Sequence, residues 1–131
     1  MSKQELFRQA DVVSIHVILS DRTRGLVGAA ELALMKPSAR LVNTSRGPIV
    51  VEADLLAALA SGRLRGATLD VFRAEPLPPA SALWSHPRIL ITAHTASSVD
   101  PILGGRLIAE NITAFRRGDT VAERVNIDQG Y

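Results

Sequence analysis

The sequence contains no cysteine, which excludes a disulfide framework and any thiolate-ligated metal centre. Aromatic residues are scarce, at 4%, so the core has to be built from Leu, Val, Ile and Ala, the composition of a helix-covered sheet. No apolar run approaches the roughly 18 residues that a membrane span requires, and the opening Met1-Ser2-Lys3-Gln4-Glu5 is too polar for a signal peptide. Charge is nowhere concentrated: the net charge is +2 and the longest basic run is Arg116-Arg117, which gives a nucleic-acid partner little footing. No set of His, Asp and Glu stands at metal-ligand spacing, so no metal is expected. The expectation from these absences is a cytoplasmic protein with no membrane, nucleic-acid or metal partner. What is present is 131 residues, 47% of them hydrophobic, enough for one domain with a real core and too few for two.

The pattern along the chain alternates. A short helix around Leu6 precedes Ala10 to Leu19, an apolar and β-branched run that reads as a strand buried on both faces. Gly28 to Met35 is helix-forming, with Leu32 and Met35 on one face and Lys36-Pro37 ending it. A strand at 40–44 follows. Glu52 to Ser61 then sets Leu55, Leu56 and Leu59 on one stripe, with acids in the first turn and Gly62 at the close. Gly66 to Phe72 reads as a third strand, and the proline-rich loop Glu75-Pro76-Leu77-Pro78-Pro79 cannot be regular structure. Arg88 to Thr92 is a fourth strand. The last helix opens near Ser97 to Asp100, takes Pro101 in its first turn, and is expected to bury Ile102, Leu103, Leu107, Ile108, Ile112 and Phe115. Such an alternation specifies an α/β fold with a parallel sheet and flanking helices, and the tail from Asp119 is polar.

Chemistry gathers where the strands stop. Leu41-Val42-Asn43-Thr44-Ser45-Arg46-Gly47 is a strand ending on a carboxamide, hydroxyls and a guanidinium, and ligands of open parallel sheets collect at such ends. Arg46 stays charged at any working pH, and its planar fork of donors suits a carboxylate. Asp70 and Glu75 follow the third strand and His94 the fourth, so parallel strands bring all of them to one edge. A Glu75–His94 pair beside Arg46 could act on a substrate whose carboxylate is held on Arg46, with His94 exchanging a proton with its hydroxyl or carbonyl oxygen. Plainer roles stay open at this point: Arg46 as a cap of its strand at the surface, His94 as a cap of the last helix, Glu75 as a solvated loop acid. Asp70 is harder to dismiss, because a carboxylate ending an apolar strand needs a partner to offset its burial. His16 and His86 read as structural or surface residues, and Trp84 as a packing anchor under the proline loop.

Taken in order, Ala10-Asp11-Val12-Val13-Ser14-Ile15-His16, Thr23-Arg24-Gly25-Leu26-Val27-Gly28, Met35-Lys36-Pro37, Val42-Asn43-Thr44-Ser45-Arg46-Gly47, Gly66-Ala67-Thr68-Leu69-Asp70-Val71-Phe72, Glu75-Pro76-Leu77-Pro78 and Thr92-Ala93-His94 resemble the D-isomer-specific 2-hydroxyacid dehydrogenases. The resemblance implies a Rossmann-like fold, the second half of a doubly wound nucleotide-binding domain over residues 1–118, with 119–131 as a tail. It implies that Arg46 binds the substrate carboxylate, that Glu75 orients and charges His94, the catalytic histidine, and that Asp70 holds the nicotinamide carboxamide. It also implies that the segments around His16, Thr23 and Thr44 line the cofactor. The cofactor implied is NAD, with NADP not excluded because the acidic ribose-binding residue is not found among the 131 residues. The substrate implied is a small 2-oxo or 2-hydroxy acid.

The family is longer than this chain. Neither its substrate domain nor its strand–loop–helix unit carrying G-x-G-x-x-G is found among the 131 residues, so the helix N-terminus that would seat the pyrophosphate is missing. Locally, Ala93 stands where the family usually has proline, Val51 where it often has aspartate, and Thr95-Ala96-Ser97-Ser98 replaces a glycine-containing segment. The expectation is an oxidoreductase piece with its acid–base groups and half of its cofactor site, truncated or split, and inactive alone. The alternative is a non-catalytic remnant serving as an oligomerisation or protein-binding module. Strand 11–19 would be an unpaired apolar edge, which invites self-association.

Overall fold

The computed structural model describes residues 1–97, 100–121 and 124–125, and the chain divides into two compact units, Met1–Ala96 and Ser97–Tyr131. The first unit opens with helix α1 (Lys3–Gln9), started by a reciprocal cap in which the Ser2 hydroxyl accepts from the Glu5 N–H and the Glu5 carboxylate accepts from the Ser2 N–H. Strand β1 (Val12–Ile15), helix α2 (Ala29–Leu34), strand β2 (Arg40–Asn43), a 3₁₀ turn at Gly47–Ile49, helix α3 (Glu52–Ala60), strand β3 (Gly66–Leu69) and strand β4 (Ile89–Ile91) follow. Gly62, just past α3, takes φ +73°, the left-handed close that glycine reaches without strain.

All four strands are parallel and lie in the order β1-β2-β3-β4. Because the order never reverses, right-handed crossovers deliver α2 and α3 to the same face, and α2 packs against both α1 and α3. Val13, Ile15, Leu41, Ala67 and Leu69 point into that helix-covered core together with Phe7, Leu32, Leu55 and Leu59. The other face carries the register row Ser14, Val42, Thr68 and Leu90. It is open enough that Leu90 is 61% exposed.

The first strand corrects the reading of a double-faced buried run over 10–19. β1 is only Val12–Ile15 and alternates exposed with buried. Two physical reasons account for this. β1 is an edge strand with one neighbour, and its second face has no cover, leaving Val12 57% exposed. Past Ile15 the hydroxyls of Ser45 and Thr23 bond the carbonyls of Val17 and Ile18, so side chains satisfy a backbone that has left the ladder.

In the second unit, helix α4 (Pro101–Arg117) is capped by Asp100, whose carboxylate accepts from the Ile102 N–H at 2.8 Å, and it closes on Gly118. The helix and its caps stand where the sequence puts them. Its expected buried face does not: Ile102, Leu103, Leu107, Ile108, Ile112 and Phe115 are 84, 55, 47, 62, 49 and 76% exposed. Within Ser97–Tyr131 the helix has no second element among the described residues to pack on. The polar tail from Asp119 falls largely outside the described residues. No helix among those described is long and apolar enough to cross a membrane.

Candidate active site

The parallel register carries the sequence's polar strand ends to one edge. β3 leaves its ladder after Leu69, and Asp70 enters as a buried carboxylate, 1% exposed. Its partners come from the segment after β4. The Thr92 hydroxyl and the Thr95 N–H, the latter at 2.9 Å, donate to one oxygen, and the Ala96 N–H donates to the other at 3.0 Å. The Asp70 carbonyl accepts from the His94 N–H at 2.9 Å. Burial alone would raise this carboxyl's pKa. The bonds from Thr92, Ala96 and Thr95, with the nearby His94, outweigh burial and hold it below the ordinary value of 3.8.

His94 sits at φ +56°, a left-handed backbone at a residue other than glycine. Its Nδ1 lies 2.9 Å from Glu75 Oε2. The other Glu75 oxygen accepts from the Phe72 N–H at 2.9 Å, and the Glu75–Pro76 peptide is cis. The Phe72 N–H first, then the hydrogen bond with His94, lower the Glu75 pKa below its ordinary 4.5; burial opposes them, and the charges of His94 and Arg46 add. Both ends of the pair reach solvent at the mouth of a cleft of about 700 Å³ walled by Phe72, Leu77, Trp84 and Ile91. Trp84 is not buried under the proline loop as its sequence context suggests. It is 54% exposed and ties that loop by donating its indole N–H to the Pro78 carbonyl at 3.0 Å.

Arg46 follows β2. The buried Asn43 folds the backbone back on itself, its amide donating to the Arg46 carbonyl at 3.0 Å and its oxygen accepting from the Ser45 N–H at 3.1 Å. The exposed guanidinium donates to the Ser45 carbonyl at 2.7 Å, and its charge reaches Glu75. The next residue admits only glycine, because a methyl on Gly47 would lie 1.9 Å from the Phe72 carbonyl carbon. The sequence led to the expectation of a Glu75–His94 pair, and that contact is present, but not to this packing of the Arg46 turn against the Glu75 turn. The glycine beside the arginine was the one available signal.

Of the remaining sequence-derived positions, His16 and Thr23 follow β1 and Thr44 follows β2, at the strand ends that also carry Arg46, while His86 precedes β4 at the opposite ends. His16, just past β1, is exposed and pairs with the Ser14 hydroxyl at 2.7 Å. The Thr23 hydroxyl donates to the Ile18 carbonyl at 2.6 Å and accepts from the Ser20 N–H at 2.7 Å, closing the loop after β1. Thr44 is half-buried just past β2. His86 accepts from the Arg88 N–H at 3.2 Å, a local turn contact. His94 does not cap α4, since Asp100 does.

A dinucleotide needs a helix N-terminus for its pyrophosphate, and each α-helix among the described residues has a carboxylate at that end, Glu5 on α1 and Asp100 on α4 included. The N-terminus of α2 is closed by two carboxylates, Glu31 accepting from the Gly28 N–H at 3.1 Å and Asp54 from the Ala29 N–H at 2.8 Å. That of α3 carries Glu52 and Asp54 in its first turn. Acids at both positions oppose a phosphate.

Comparison with known proteins gives this edge a family. A family model described as D-isomer specific 2-hydroxyacid dehydrogenase, NAD binding domain, matches residues 1–96. The chain is 42% identical over 126 residues, 95% of its length, to a glyoxylate/hydroxypyruvate reductase A of Klebsiella pneumoniae, of which it spans 40%. It superposes with TM-score 0.92 and 40% identity on a D-isomer specific 2-hydroxyacid dehydrogenase of Xanthobacter autotrophicus solved with NADPH and MES, covering 98% of this chain and 53% of that one. An NADPH-dependent glyoxylate/hydroxypyruvate reductase of Sinorhizobium meliloti solved with NADP and sulfate matches at TM-score 0.92 and 33% identity, covering 98% of this chain and 42% of that one. The chain thus spans about half or less of each relative's length, and it belongs to the D-isomer specific 2-hydroxyacid dehydrogenases through their NAD binding domain.

Proposed function

We propose that this chain supplies the carboxylate-binding and proton-transferring groups of an NAD(P)-dependent oxidoreductase that interconverts a 2-hydroxy and a 2-oxo acid. The observation that carries the proposal is the 2.9 Å contact between His94 Nδ1 and Glu75 Oε2 at the mouth of an apolar cleft. With Nδ1 held by the carboxylate, Nε2 is the atom left to exchange a proton with the substrate's C2 oxygen, and Glu75 stabilises the imidazolium that results. Arg46 takes the substrate carboxylate, and the walls of Phe72, Leu77, Trp84 and Ile91 receive the substituent on C2. The nicotinamide, when bound, supplies or accepts the hydride. His16, Thr23 and Thr44 are the cofactor-facing positions of the proposal, whereas the Asp70 carboxylate, expected from the sequence to hold the nicotinamide carboxamide, is 1% exposed and bonded through both oxygens to the 92–96 segment. Residues 1–118 are its nucleotide-domain portion and 119–131 its tail, in a cytoplasmic setting. The relatives named glyoxylate/hydroxypyruvate reductases point to short 2-oxo acids as substrates.

The chain alone is expected to give no turnover, because hydride transfer needs the nicotinamide held at near-attack distance and the described residues offer no seat for its pyrophosphate. The test is a chimera in which residues 1–118 replace the matched segment of the Klebsiella reductase. NAD(P)H-dependent reduction of glyoxylate is expected, with kcat falling about 10²–10⁴-fold in His94→Asn and KM rising in Arg46→Gln. An active chimera indifferent to His94→Asn would overturn the proposal. A second reading, a non-catalytic oligomerisation module, draws on a different observation, the exposed β1 edge and the uncovered α4 face.

A further inference from the structure

We infer that Asp70 is a positioning residue for His94, its carboxylate holding the turn that keeps the imidazole against Glu75; the inference rests on the acid–base reading above. The starting point is the backbone. A non-glycine residue at φ +56° persists only where its surroundings over-determine it. Here the donors before, at and after His94 all converge on one residue: the Thr92 hydroxyl, the His94 N–H, the Thr95 N–H and the Ala96 N–H are each accepted by Asp70. Both carboxylate oxygens are occupied by the chain itself, and the side chain is buried. Without the carboxylate, the Thr95 and Ala96 N–H groups lose their partners and the turn has little to keep it left-handed. Relaxation to negative φ would swing the Cα–Cβ bond of His94 and part Nδ1 from Glu75.

Glu75 hangs from the same short segment. Its second oxygen is held by the N–H of Phe72, two residues beyond Asp70. Gly47, next to Arg46, packs directly on the Phe72 backbone. Residues 70–72 are therefore the common mount of the acid–base pair and of the arginine turn, and Asp70 is the member of that mount that acts on His94.

The test uses the full ¹⁵N-labelled chain and the variants Thr92→Val, Asp70→Asn and Asp70→Ala. Hydrogen exchange of the His94, Thr95 and Ala96 amides reads the turn, and the ¹⁵N signals of the His94 ring read the contact with Glu75. Glu75→Gln, which changes the Nδ1 partner without touching the turn, gives the reference spectrum. Amides of β1, β2 and β3 report on the fold as a whole. In Thr92→Val, protection of the Thr95 and Ala96 amides is expected to fall roughly tenfold, and the Nδ1 signal to move toward the Glu75→Gln position while strand amides stay unchanged. Asp70→Asn and Asp70→Ala are expected to move both readouts further. Loss of turn protection with an unmoved Nδ1 signal would overturn the inference, as would two unmoved readouts. If the Asp70 variants do not fold, Thr92→Val decides alone. Turnover plays no part in these readouts, so they can fail while the chimera succeeds, and the reverse.

Discussion

Asp70 and Glu75 share a titration logic with a direct consequence. Each has a folded-state pKa lowered by hydrogen bonds to its ionised form, Asp70 below 3.8 and Glu75 below 4.5. A carboxyl depressed on folding contributes stability that is complete above its unfolded pKa and is lost as pH falls through the folded value. The 92–96 turn and the Glu75–His94 contact should therefore be intact from neutrality down to the ordinary carboxylate range and loosen below it. Following the His94, Thr95 and Ala96 amides during acid titration checks this; a turn that instead loosened between pH 6 and pH 8 would contradict it. Gly47→Ala gives a second outcome at this scale. The added methyl meets backbone rather than a side-chain tip that could swing away, so destabilisation of about 1–3 kcal/mol is expected in thermal or urea unfolding, with chemical-shift changes centred on 72–75. At the residue scale the sequence was informative about Arg46, Glu75 and His94, because each is a charged or titratable group at an apolar strand's end. It was silent about Asp70's partners, since Thr92, Thr95 and Ala96 reach it through a turn that no periodicity encodes.

Among the elements, burial decides which apolar residues matter. Leu55 on α3 is fully buried, and Leu55→Ala is expected to cost about 2–5 kcal/mol of unfolding free energy. Ile102 on α4 is 84% exposed, and Ile102→Ser is expected to stay within about 0.5 kcal/mol. Equal effects of the two in urea denaturation would mean that the α4 face is covered. α2 and α3 were legible from apolar spacing together with Pro37 and Gly62, and β2 to β4 from short β-branched runs. β1 was overread because an apolar run does not tell a central strand from an edge strand with one exposed face. The burial of α4 was overread for a related reason: an amphipathic stripe specifies that a face wants cover, not that the same stretch of chain provides it.

For the molecule as a whole, the proposed proton-moving half-site is mounted on β2, β3 and β4, and among the described residues no α-helix N-terminus is free of carboxylates to grip a dinucleotide's pyrophosphate. The relatives are matched over 40 to 53% of their lengths; in the first unit β1 and β4 are edge strands and one sheet face is exposed, and in the second the apolar face of α4 is exposed. Val12 and Leu90 on the sheet and Ile102 and Phe115 on α4 are all more than half exposed. Surfaces of this kind promote association, and sedimentation at tens of micromolar is expected to show self-association rather than a monodisperse monomer. The most direct single measurement is a titration of the chain with NADH and NADPH, followed by nicotinamide fluorescence, with sedimentation on the same sample. No saturable binding is expected up to about millimolar nucleotide, a free-energy ceiling near 4 kcal/mol. Saturation in the micromolar range would contradict the account, since it would mean that the chain or its self-assembly builds the pyrophosphate seat that α2 and α3 close with carboxylates.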